Sequence, residues 1–378
     1  MIKPGLRVPS DLRAGVTRIV DGSLAYVLGC TALRTAPGEI CIVTDHRILP
    51  LSWTRDAYYQ AALLLAARTR EPSAAPTVHD HLRWLWGRSR DEHGSWMRSH
   101  LTNGDVKDVG LQADQQLYPI LELCDYRRVV GGWPAPVAAG NWGQLVVDAW
   151  RALRTDPRSE LVAGEENPAD DPSAYPYTLS AQILYWYTAI RLADWSAELG
   201  ISDLAPAATA AQIRQSINDC FAADGPFGAQ WAYETDARGQ RRLYNDANDL
   251  PTALAPLWGF CPADDPRWVA TMRYTFSEHN PAYQAGRYGG LGSAHTPGTW
   301  PLGLVQEWVA TSLLNDHDAA EKAIRRLCHV AAPDGMLPEA YHPSSGKWLA
   351  RPWFAWPGAA LGTVYLTAGG AGPWPAMP

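Results

Sequence analysis

Apolar residues recur at helical spacing through most of this chain, and this pattern restricts its fold more than any other feature. Segments with apolar residues at positions i, i+3, i+4 and i+7 begin at Arg55 and alternate with loops rich in Trp, Gly, Pro and Asp. Several segments start at Pro, Asp or Thr and stop near Gly or Asn, as the chemistry of helix ends predicts. The predicted helices are 55–70, 115–127, 143–154, 178–199, 206–221, 251–259, 266–278, 301–314, 317–331 and 353–366.

These helices follow one another without a linker, so residues 1–378 are predicted to form a single all-α domain. Recurring helical hairpins favour a closed (α/α)6 toroid, with a few short strands in the long loops. An open solenoid is less favoured because no sequence period repeats. Residues 1–50 are expected to form loops and short strands, with 1–40 as an N-terminal extension. A hairpin is expected within 230–245, and the tail 369–378 is expected to fray.

The charge balance excludes several classes of partner. Charged residues make up 19% of the chain and the formal net charge is −7, which argues against nucleic acid and against an anionic membrane surface. No apolar run reaches the roughly 18 residues of a membrane-spanning helix, and the first residues lack the apolar core of a secretory signal. The six scattered cysteines contain no CxxC pair and are expected to be buried thiols. We therefore expect a cytoplasmic protein.

The aromatic composition points towards carbohydrate. The chain has 18 Trp and 16 Tyr but only 5 Phe, so rings with a polar group are strongly preferred. Indole faces pack against the C–H faces of sugars, while the N–H and O–H groups bond to hydroxyls. Any individual Trp can equally well fill the core. The excess as a whole favours a small glycoside or an oligosaccharide as the ligand.

The familiar motifs of other enzyme classes are absent. No P-loop, GxGxxG, HExxH or GxSxG sequence occurs. His79 and His81 are two positions apart, a spacing that turns their rings away from each other on a helix. We expect no metal and no cofactor. Paired carboxylates remain, and glycoside cleavage needs such a pair: one protonates the leaving oxygen, and the other activates water or attacks the sugar.

Acidic residues in aromatic, turn-rich loops beside helix ends are the candidates for this chemistry. Before the first of these helices, Trp53 can stack on a sugar, Asp56 can accept bonds from two hydroxyls, and Arg55 can orient Asp56 or bind sugar. The alternative is an ordinary helix start with an acidic first turn. Asp114 opens another helix, either as a wall of the same cavity or as a capping residue.

Two further loops carry candidates of the same type. Asp170 and Asp171 are adjacent, and because neighbouring carboxylates repel, one of them is expected to keep a proton as a general acid must. The alternative is a solvated turn. Asp246 and Asn248 precede an apolar helix, where they can bind sugar hydroxyls or cap the helix.

Glu339 is the strongest catalytic candidate from the residues alone. It follows a proline in a loop that is closed by Arg351 and by three aromatic residues within 353–356. A carboxylate in such surroundings is expected to be sheltered from solvent, as an acid or base that reacts with a bound substrate should be.

Six segments, read in order, resemble the metal-independent exo-α-mannosidases of glycoside hydrolase family 125. VTDHRILPLSWTRDA at 43–57 is similar to the family's TGDIPAMWLRDS, and NPADDPSAYPY at 167–177 is similar to its RPSDDA with two following tyrosines. The other matches lie in the same order at 112–119, 245–254, 280–301 and 335–357.

The resemblance implies an (α/α)6 barrel, inversion of configuration and no metal. It also implies that the general acid is Asp170 or Asp171 and that the general base is Glu339. The residues expected to bind the sugar are Trp53, Arg55, Asp56, Asp114, Asp246, Asn248, His295, Trp300, Arg351 and Trp353.

Departures from the family pattern leave the sugar open. Gln112 replaces the Glu of the family's ELD, Asn245 replaces the first Asp of DDAN, and both residues flanking Glu339 differ from HES. The segments 111–114 and 337–339 also resemble family 15 glucoamylases, so an α-glucosidase is the nearest alternative. A non-catalytic sugar-binding toroid is expected to lack one carboxylate, whereas both positions are kept. A lyase or epimerase would need a Tyr, His or Lys base near an Arg cluster, which the sequence does not show.

Overall fold

A computed structural model of the protein describes residues 6, 8–91, 93–137, 140–368 and 373–374. Thirteen α-helices lie within these ranges and account for most of the regular secondary structure. They are α1 (Arg13–Tyr26), α2 (Thr54–Ala67), α3 (Ala74–Gly87), α4 (Ala113–Val130), α5 (Trp142–Arg151), α6 (Leu179–Ala193), α7 (Ser196–Leu199), α8 (Pro206–Cys220), α9 (Leu250–Trp258), α10 (Pro266–Thr275), α11 (Pro301–Leu313), α12 (His317–Val330) and α13 (Ala355–Ala368).

The strands of the described residues are short and form small antiparallel ladders in the loops. The paired strands are β1 (Ala32–Ala36) with β2 (Glu39–Ile42), β3 (Ser99–His100) with β4 (Val106–Asp108), β5 (Tyr177–Thr178) with β8 (Glu234–Thr235), β8 with β9 (Arg241–Arg242), β6 (Ala222–Gly225) with β7 (Gly228–Trp231), β10 (Tyr283–Gln284) with β11 (Gly290–Leu291), and β12 (Ala340–Tyr341) with β13 (Trp348–Ala350).

Six helices contact one another in cyclic order. Helix α2 packs on α4, α4 on α6, α6 on α9, α9 on α11, α11 on α13, and α13 again on α2. Every residue of α2, α9 and α11 is buried. Helices that are covered on all sides are largely apolar, and the charged residues in these three, Arg55, Asp56 and Glu307, lie within 4 Å of an opposite charge.

A second set of helices packs outside this ring. Helix α1 contacts α13, α3 contacts α2 and α4, α8 contacts α6, and α12 contacts α11. These outer helices are apolar on one face only, as in α12, where the spacing of three and four residues places the buried side chains along one stripe. The buried residues of α12 are Ala320, Ala323, Ile324, Leu327 and Val330.

The prediction of a mainly helical fold is confirmed, and each of the ten predicted helices overlaps an observed one. The predicted hairpin is also present: β8 and β9 pair around a turn in which Ala237 and Gly239 have positive φ. Two helices were not predicted, α1 and α3. The prediction of loops and short strands over 1–50 was therefore wrong for Arg13–Tyr26, which is helical. Strands β1 and β2 do form within 1–50, as predicted.

The N-terminal helix is part of the helical layer rather than an extension of it, because α1 is the outer partner of α13. Its β-branched residues and two glycines lower its helix propensity, which hides it in the sequence. Gly22 is required by packing, since a Cβ there would collide with the carbonyl oxygen of Asp334. Helix α1 thus lies directly against the loop that leads to Glu339.

The far end of the chain also packs, at the residues that can be described. Trp374 is buried, its indole N–H donates to the hydroxyl of Tyr58 at 2.8 Å, and its carbonyl accepts from Arg128 at 2.7 Å. The expected fraying of the tail is therefore wrong for Trp374. Within 369–378 only Pro373 and Trp374 are described, and the other residues lie outside the described ranges. One apolar core includes residues from Leu12 to Trp374.

The six cysteines are free thiols, two of them fully buried. None of the helices in the described ranges combines the length and the apolar character that crossing a membrane would require.

Candidate active site

The N-terminal ends of several inner helices meet at one narrow cavity. Trp53 and Trp300 directly precede α2 and α11, Asn248 lies just before α9, and Phe354 directly precedes α13. All four line the cavity. Because a helix N-terminus carries a partial positive charge, this end of the ring favours carboxylates.

The cavity combines acidic, basic and aromatic side chains in a confined space. Nine of the thirteen residues predicted for the site line it. Its lining residues are Trp53, Arg55, Asp56, Pro168, Ala169, Asp170, Asn248, His295, Trp300, Glu339, Arg351, Phe354 and Trp356.

One wall of the cavity, the Glu339 wall, is built by the β12–β13 hairpin and its continuation to α13. The backbone N–H of Glu339 donates to the carbonyls of Ala350 and Arg351 at 3.2 and 3.1 Å. Arg351 adopts a positive φ of 32°, a conformation that costs a non-glycine residue energy and is concentrated at functional sites. Its guanidinium Nε lies 3.7 Å from Oε2 of Glu339. The hairpin thus sets the position of the carboxylate through main-chain bonds.

Burial dominates the electrostatics of Glu339. The side chain is 6% exposed, and burial raises the pKa of its carboxyl above the ordinary range, while the charges of Arg351 and His295 act in the opposite direction. Neither carboxylate oxygen of Glu339 accepts a hydrogen bond from another described side chain. A carboxylate held in this way keeps its oxygens available for a water molecule.

The second wall, the Asp170 wall, is formed by the loop 167–172 together with Arg55 and Gln112. Oδ1 of Asp170 accepts a hydrogen bond from Nη2 of Arg55 at 3.1 Å and another from Nε2 of Gln112 at 2.6 Å. Asp170 has a positive φ of 64°, which Asp and Asn tolerate better than most residues. Its Oδ2 has no such bond, so one oxygen is fixed and the other is free to act.

Arg55 is the centre of a charge cluster below this wall. The guanidinium is fully buried and lies 2.9 Å from Asp114 and 3.8 Å from Asp56, in addition to its bond with Asp170. Burial disfavours the charged guanidinium, yet the three carboxylates outweigh it and raise the pKa of Arg55. One cation therefore faces three carboxylates, and burial raises the pKa of two of them, Asp56 and Asp114.

Asp56 lies between the two walls. Burial raises its pKa to about 6, although Arg55 and the hydroxyl of Thr44, which donates to Oδ1 at 2.5 Å, favour the ionised form. The charge of Asp170 acts to raise the pKa of Asp56 further, and the charge of Arg351 acts to lower it. Asp56 is thus a buried acceptor for sugar hydroxyls at neutral pH.

The aromatic lining carries hydrogen-bond donors without partners. Nε1 of Trp53, Nε1 of Trp356 and Nε of Arg55 are buried and form no hydrogen bond with the described residues. Buried donors are normally satisfied, so these three are available to the oxygens of a bound molecule or of water. Arg351 lies 5.9 Å above the ring of Trp53 and 5.7 Å above that of Phe354.

Four predicted site residues do not line the cavity. Asp114 lies beneath it as a partner of Arg55, and Asp246 is bound by Tyr244 at 2.6 Å and by the side chain of Asn248 at 2.7 Å. Asp114 accepts a hydrogen bond from Arg55 and Asp246 accepts one from Asn248, so both carboxylates contact residues that line the cavity and help to orient them.

The other two lie at the rim or beyond it. Trp353 packs against His46 and donates its indole N–H to Asp334 at 3.1 Å. Asp171, with a side chain 40% exposed, faces His295 at 3.3 Å. The adjacent carboxylates of Asp170 and Asp171 are therefore bound to different partners, so their proximity in sequence does not make them a facing pair.

Besides Pro168 and Ala169, sequence reasoning missed three residues whose side chains shape the site. Phe354 and Trp356 belong to the aromatic run that follows Arg351 in the sequence. Only the tertiary structure shows that both of them line the cavity. Gln112 was recognised as a departure from the family pattern without a role. It donates to Glu166 at 3.1 Å as well as to Asp170, and accepts from Arg55 at 2.8 Å.

Within the part of the chain that the structure describes, no group of three or more His, Cys, Asp or Glu side chains is arranged to hold a metal ion.

Comparison with known proteins shows the family of this chain. A model of the metal-independent α-mannosidases of glycoside hydrolase family 125 matches residues 153–366, more than half of the chain. The protein belongs to this family. The matched segment contains Asp170, Asp171 and Glu339 but not the segment around Arg55. No curated protein matches the chain significantly.

Solved structures of related fold cover nearly the whole chain. A Streptococcus pneumoniae protein from a family of metal-independent α-mannosidases, in a non-productive complex with α-1,6-mannobiose, superposes with a TM-score of 0.75 at 20% identity over 95% of both chains. The Saccharomycopsis fibuligera glucoamylase superposes with a TM-score of 0.67 at 12% identity, covering 94% of this chain and 95% of its own. A bacterial glucoamylase bound to acarbose gives 0.66 at 15% identity, covering 92% of this chain and 55% of its own.

Proposed function

We propose that this protein is an inverting, exo-acting glycoside hydrolase that removes a terminal α-linked mannose from a glycoside or oligosaccharide. The observation that carries the proposal is the pairing of Glu339 and Asp170 in one narrow cavity lined by tryptophans. Membership of the α-mannosidase family supports the reaction class and the sugar. The confined shape of the cavity suits the end of a chain better than its middle.

In the reaction we propose, Glu339 is the general base. Its free carboxylate oxygens take a proton from a water molecule, and that water attacks the anomeric carbon. The bond between this carbon and the glycosidic oxygen breaks, and a carboxyl on the Asp170 wall protonates the leaving oxygen. Attack on the face opposite to the leaving group inverts the configuration, so the first product is the β-anomer.

Of the two adjacent aspartates, we assign the general acid to Asp170. It lines the cavity, whereas Asp171 does not. Its Oδ1 is held by Arg55 and Gln112, which leaves Oδ2 for the glycosidic oxygen. We assign Asp171 to the rim, where it orients His295.

We interpret the ring of six helices with its outer partners as the (α/α)6 toroid predicted from the sequence. The cyclic contacts from α2 to α13 and back to α2 support this interpretation. In a toroid of parallel inner helices the N-terminal ends lie together, which is where the cavity is found.

An α-glucosidase is the second candidate. Gln112 and the residues flanking Glu339 depart from the family pattern, and glucoamylases are among the structures of related fold. The reaction would be the same, and only the sugar held by Asp56, Arg55 and Asn248 would differ.

The test is hydrolysis of aryl α-mannoside, aryl α-glucoside and α-linked disaccharides, with NMR observation of the first anomer released and with a chelator present. We expect β-mannose and full activity with chelator. Release of the α-anomer or dependence on added metal contradicts the mechanism. If only the glucoside is hydrolysed, the proposed mechanism stands but the choice of mannose as the substrate is overturned.

A further inference from the structure

A second cavity lies outside the helical ring, between α11, α12 and the loop that joins β10 to β11. It has a volume of about 520 Å3 and shares no lining residue with the active-site cavity. Its lining residues are Tyr283, Arg287, Tyr288, Glu307, Lys322, Arg325, Arg326 and His329.

The charge of this cavity is opposite to that of the protein. Four Lys or Arg side chains and one His line it against a single carboxylate, in a chain with a net charge of −7. Basic residues three and four positions apart on one helix repel each other, as Lys322, Arg325, Arg326 and His329 do on α12. The helix dipole favours basic groups only near the C-terminal end, and it does not explain Arg287 on the facing loop.

Two of these cations are already neutralised. Arg325 pairs with Asp11 at 2.9 Å and with Glu321 at 2.7 Å, and Arg326 pairs with Glu307 at 2.6 Å. Arg287 and Lys322 have no carboxylate partner within the described residues. Arg287 lies on the β10–β11 loop and Lys322 on α12, so the two line the cavity from different elements. Two cations without a carboxylate partner that line one cavity from separate elements match the charge of a phosphate dianion.

An aromatic pair holds the loop cation in place. The ring of Tyr288 stacks on His329 with centroids 4.3 Å apart and an angle of 5° between the planes. The guanidinium carbon of Arg287 lies 5.2 Å from the centroid of the same tyrosine ring. Such stacking restricts a long side chain that would otherwise be mobile, and so lowers the entropy lost when it binds an anion.

The cavity also contains a buried acceptor. Glu307 is 8% exposed, and its Oε2 has no hydrogen-bond partner among the described residues, while Oε1 is bound by Arg326. A buried carboxylate oxygen without a donor is unfavourable and is normally satisfied by a ligand or by water. A hydroxyl group of a bound molecule would supply the missing donor.

We propose that this cavity binds a phosphate monoester of a small hydroxylated molecule, with the phosphate between Arg287 and Lys322 and a hydroxyl donated to Glu307. The proposal does not depend on the reaction assigned to the first cavity. It concerns a ligand that is anionic, whereas the first cavity is lined by carboxylates and suits a neutral sugar.

The probe is glycerol 3-phosphate, which is not a pyranose and has no reason to enter the first cavity. Isothermal titration at constant ionic strength compares it with inorganic phosphate and with glycerol. The variant Arg287→Ala/Lys322→Ala removes two exposed cations and is expected to fold normally. The matched control is Arg158→Ala/Lys107→Ala, which removes two exposed cations elsewhere.

We expect saturable binding of glycerol 3-phosphate, weaker binding of inorganic phosphate and none of glycerol. The double variant should raise the Kd of glycerol 3-phosphate at least tenfold, and the control should leave it unchanged. Absence of saturable binding, or an equal Kd in the double variant and the wild type, overturns the site. Equal affinity for both phosphates overturns the hydroxyl contact to Glu307.

Discussion

The two walls of the active-site cavity hold their carboxylates in different ways. Glu339 is placed by main-chain bonds of a short hairpin, and among the described residues its only charged neighbour within 4 Å is Arg351 at 3.7 Å. The N–H of Asp170 also donates to a main-chain carbonyl, that of Asn167 at 3.0 Å, but the carboxylate itself is held by two side chains, with Arg55 and Gln112 both bound to the same oxygen. One carboxylate thus depends on backbone geometry, and the other on a network that can be changed one side chain at a time.

The difference suits two different chemical tasks. A base that activates water needs free oxygens and a fixed position, which a hairpin provides without occupying the carboxylate. An acid must hold a proton that it can release and regain, and this depends on the charges around it. Substitutions on the Glu339 wall should therefore remove activity outright, whereas those on the Asp170 wall should depend on the leaving group and on pH.

The largest expected effect is that of Glu339→Gln. Glutamine keeps the shape but cannot take a proton from water, so kcat should fall by about a thousandfold or more. The melting temperature and the affinity for mannose should change little, because the hairpin holds residue 339 through its backbone. The measurement is turnover of an aryl α-mannoside, with mannose binding followed by calorimetry.

Glu165→Gln is the matched control for this variant, since Glu165 also faces an arginine, Arg154 at 2.6 Å, but at the exposed surface. It should keep wild-type turnover. Full activity of Glu339→Gln would remove Glu339 from the mechanism and with it the contrast between the walls.

Asp170→Asn should come next in size, with kcat about a hundredfold to a thousandfold lower on a substrate with a poor leaving group. On a dinitrophenyl glycoside the loss should nearly vanish, because that leaving group needs no proton. Asparagine tolerates the positive φ at this position, so the loop should keep its conformation.

Asp171→Asn provides the comparison, and we expect a loss below tenfold that is the same for both leaving groups. If Asp171→Asn instead shows the dependence on the leaving group, the acid is Asp171 and the Asp170 assignment is wrong.

A smaller effect is expected from Gln112→Glu. The added carboxylate would face Asp170 and Glu166, to which the amide now donates, and negative charge favours protonation of neighbouring carboxylates. The alkaline limb of the pH profile of kcat/KM should move to higher pH, with kcat at its optimum within tenfold of wild type. Gln144→Glu is the control, because Gln144 also donates to an aspartate, Asp148 at 2.7 Å, far from the cavity. Equal profiles for both variants would contradict a network that controls the Asp170 wall.

The smallest expected effect concerns stability and Asp56, which lies between the walls. Folding raises its pKa from 3.8 to about 6, so the fold favours the protonated form. That contribution to stability is present below pH 3.8 and is lost as the pH rises through 6. Asp56→Asn avoids the buried charge, so its free energy of unfolding relative to wild type should rise between pH 4 and pH 7. The gain should be at most about 3 kcal/mol, since one pKa unit corresponds to about 1.4 kcal/mol.

Urea unfolding at both pH values measures this difference. The same difference at pH 4 and at pH 7 would show that Asp56 carries no such cost. Activity of Asp56→Asn should be reduced at every pH, because Asp56 lines the cavity.

Much of the fold was predictable because helical periodicity is a local property. The ten predicted helices have apolar residues at helical spacing, and each of them overlaps an observed helix. Helix α1 escaped prediction because its glycines and β-branched residues hide a pattern that is stable only when packed on α13. Helix α3 was not predicted because its start is not clearly marked. Ser73, the residue before it, forms no side-chain cap.

The candidate site was predictable only in its chemical groups. The sequence by itself determined that acidic, basic and aromatic residues lie at the starts of helices and that they match one family. Tertiary structure decided which of them face the same space. Asp114 and Asp246 bind other site residues and do not line the cavity. Phe354 and Trp356 line it, and Gln112 binds Asp170 beside it. The reason is that a side chain's direction is set by closure of the helical ring, which brings together residues as far apart as Arg55 and Asp170 or Arg351 and Trp53.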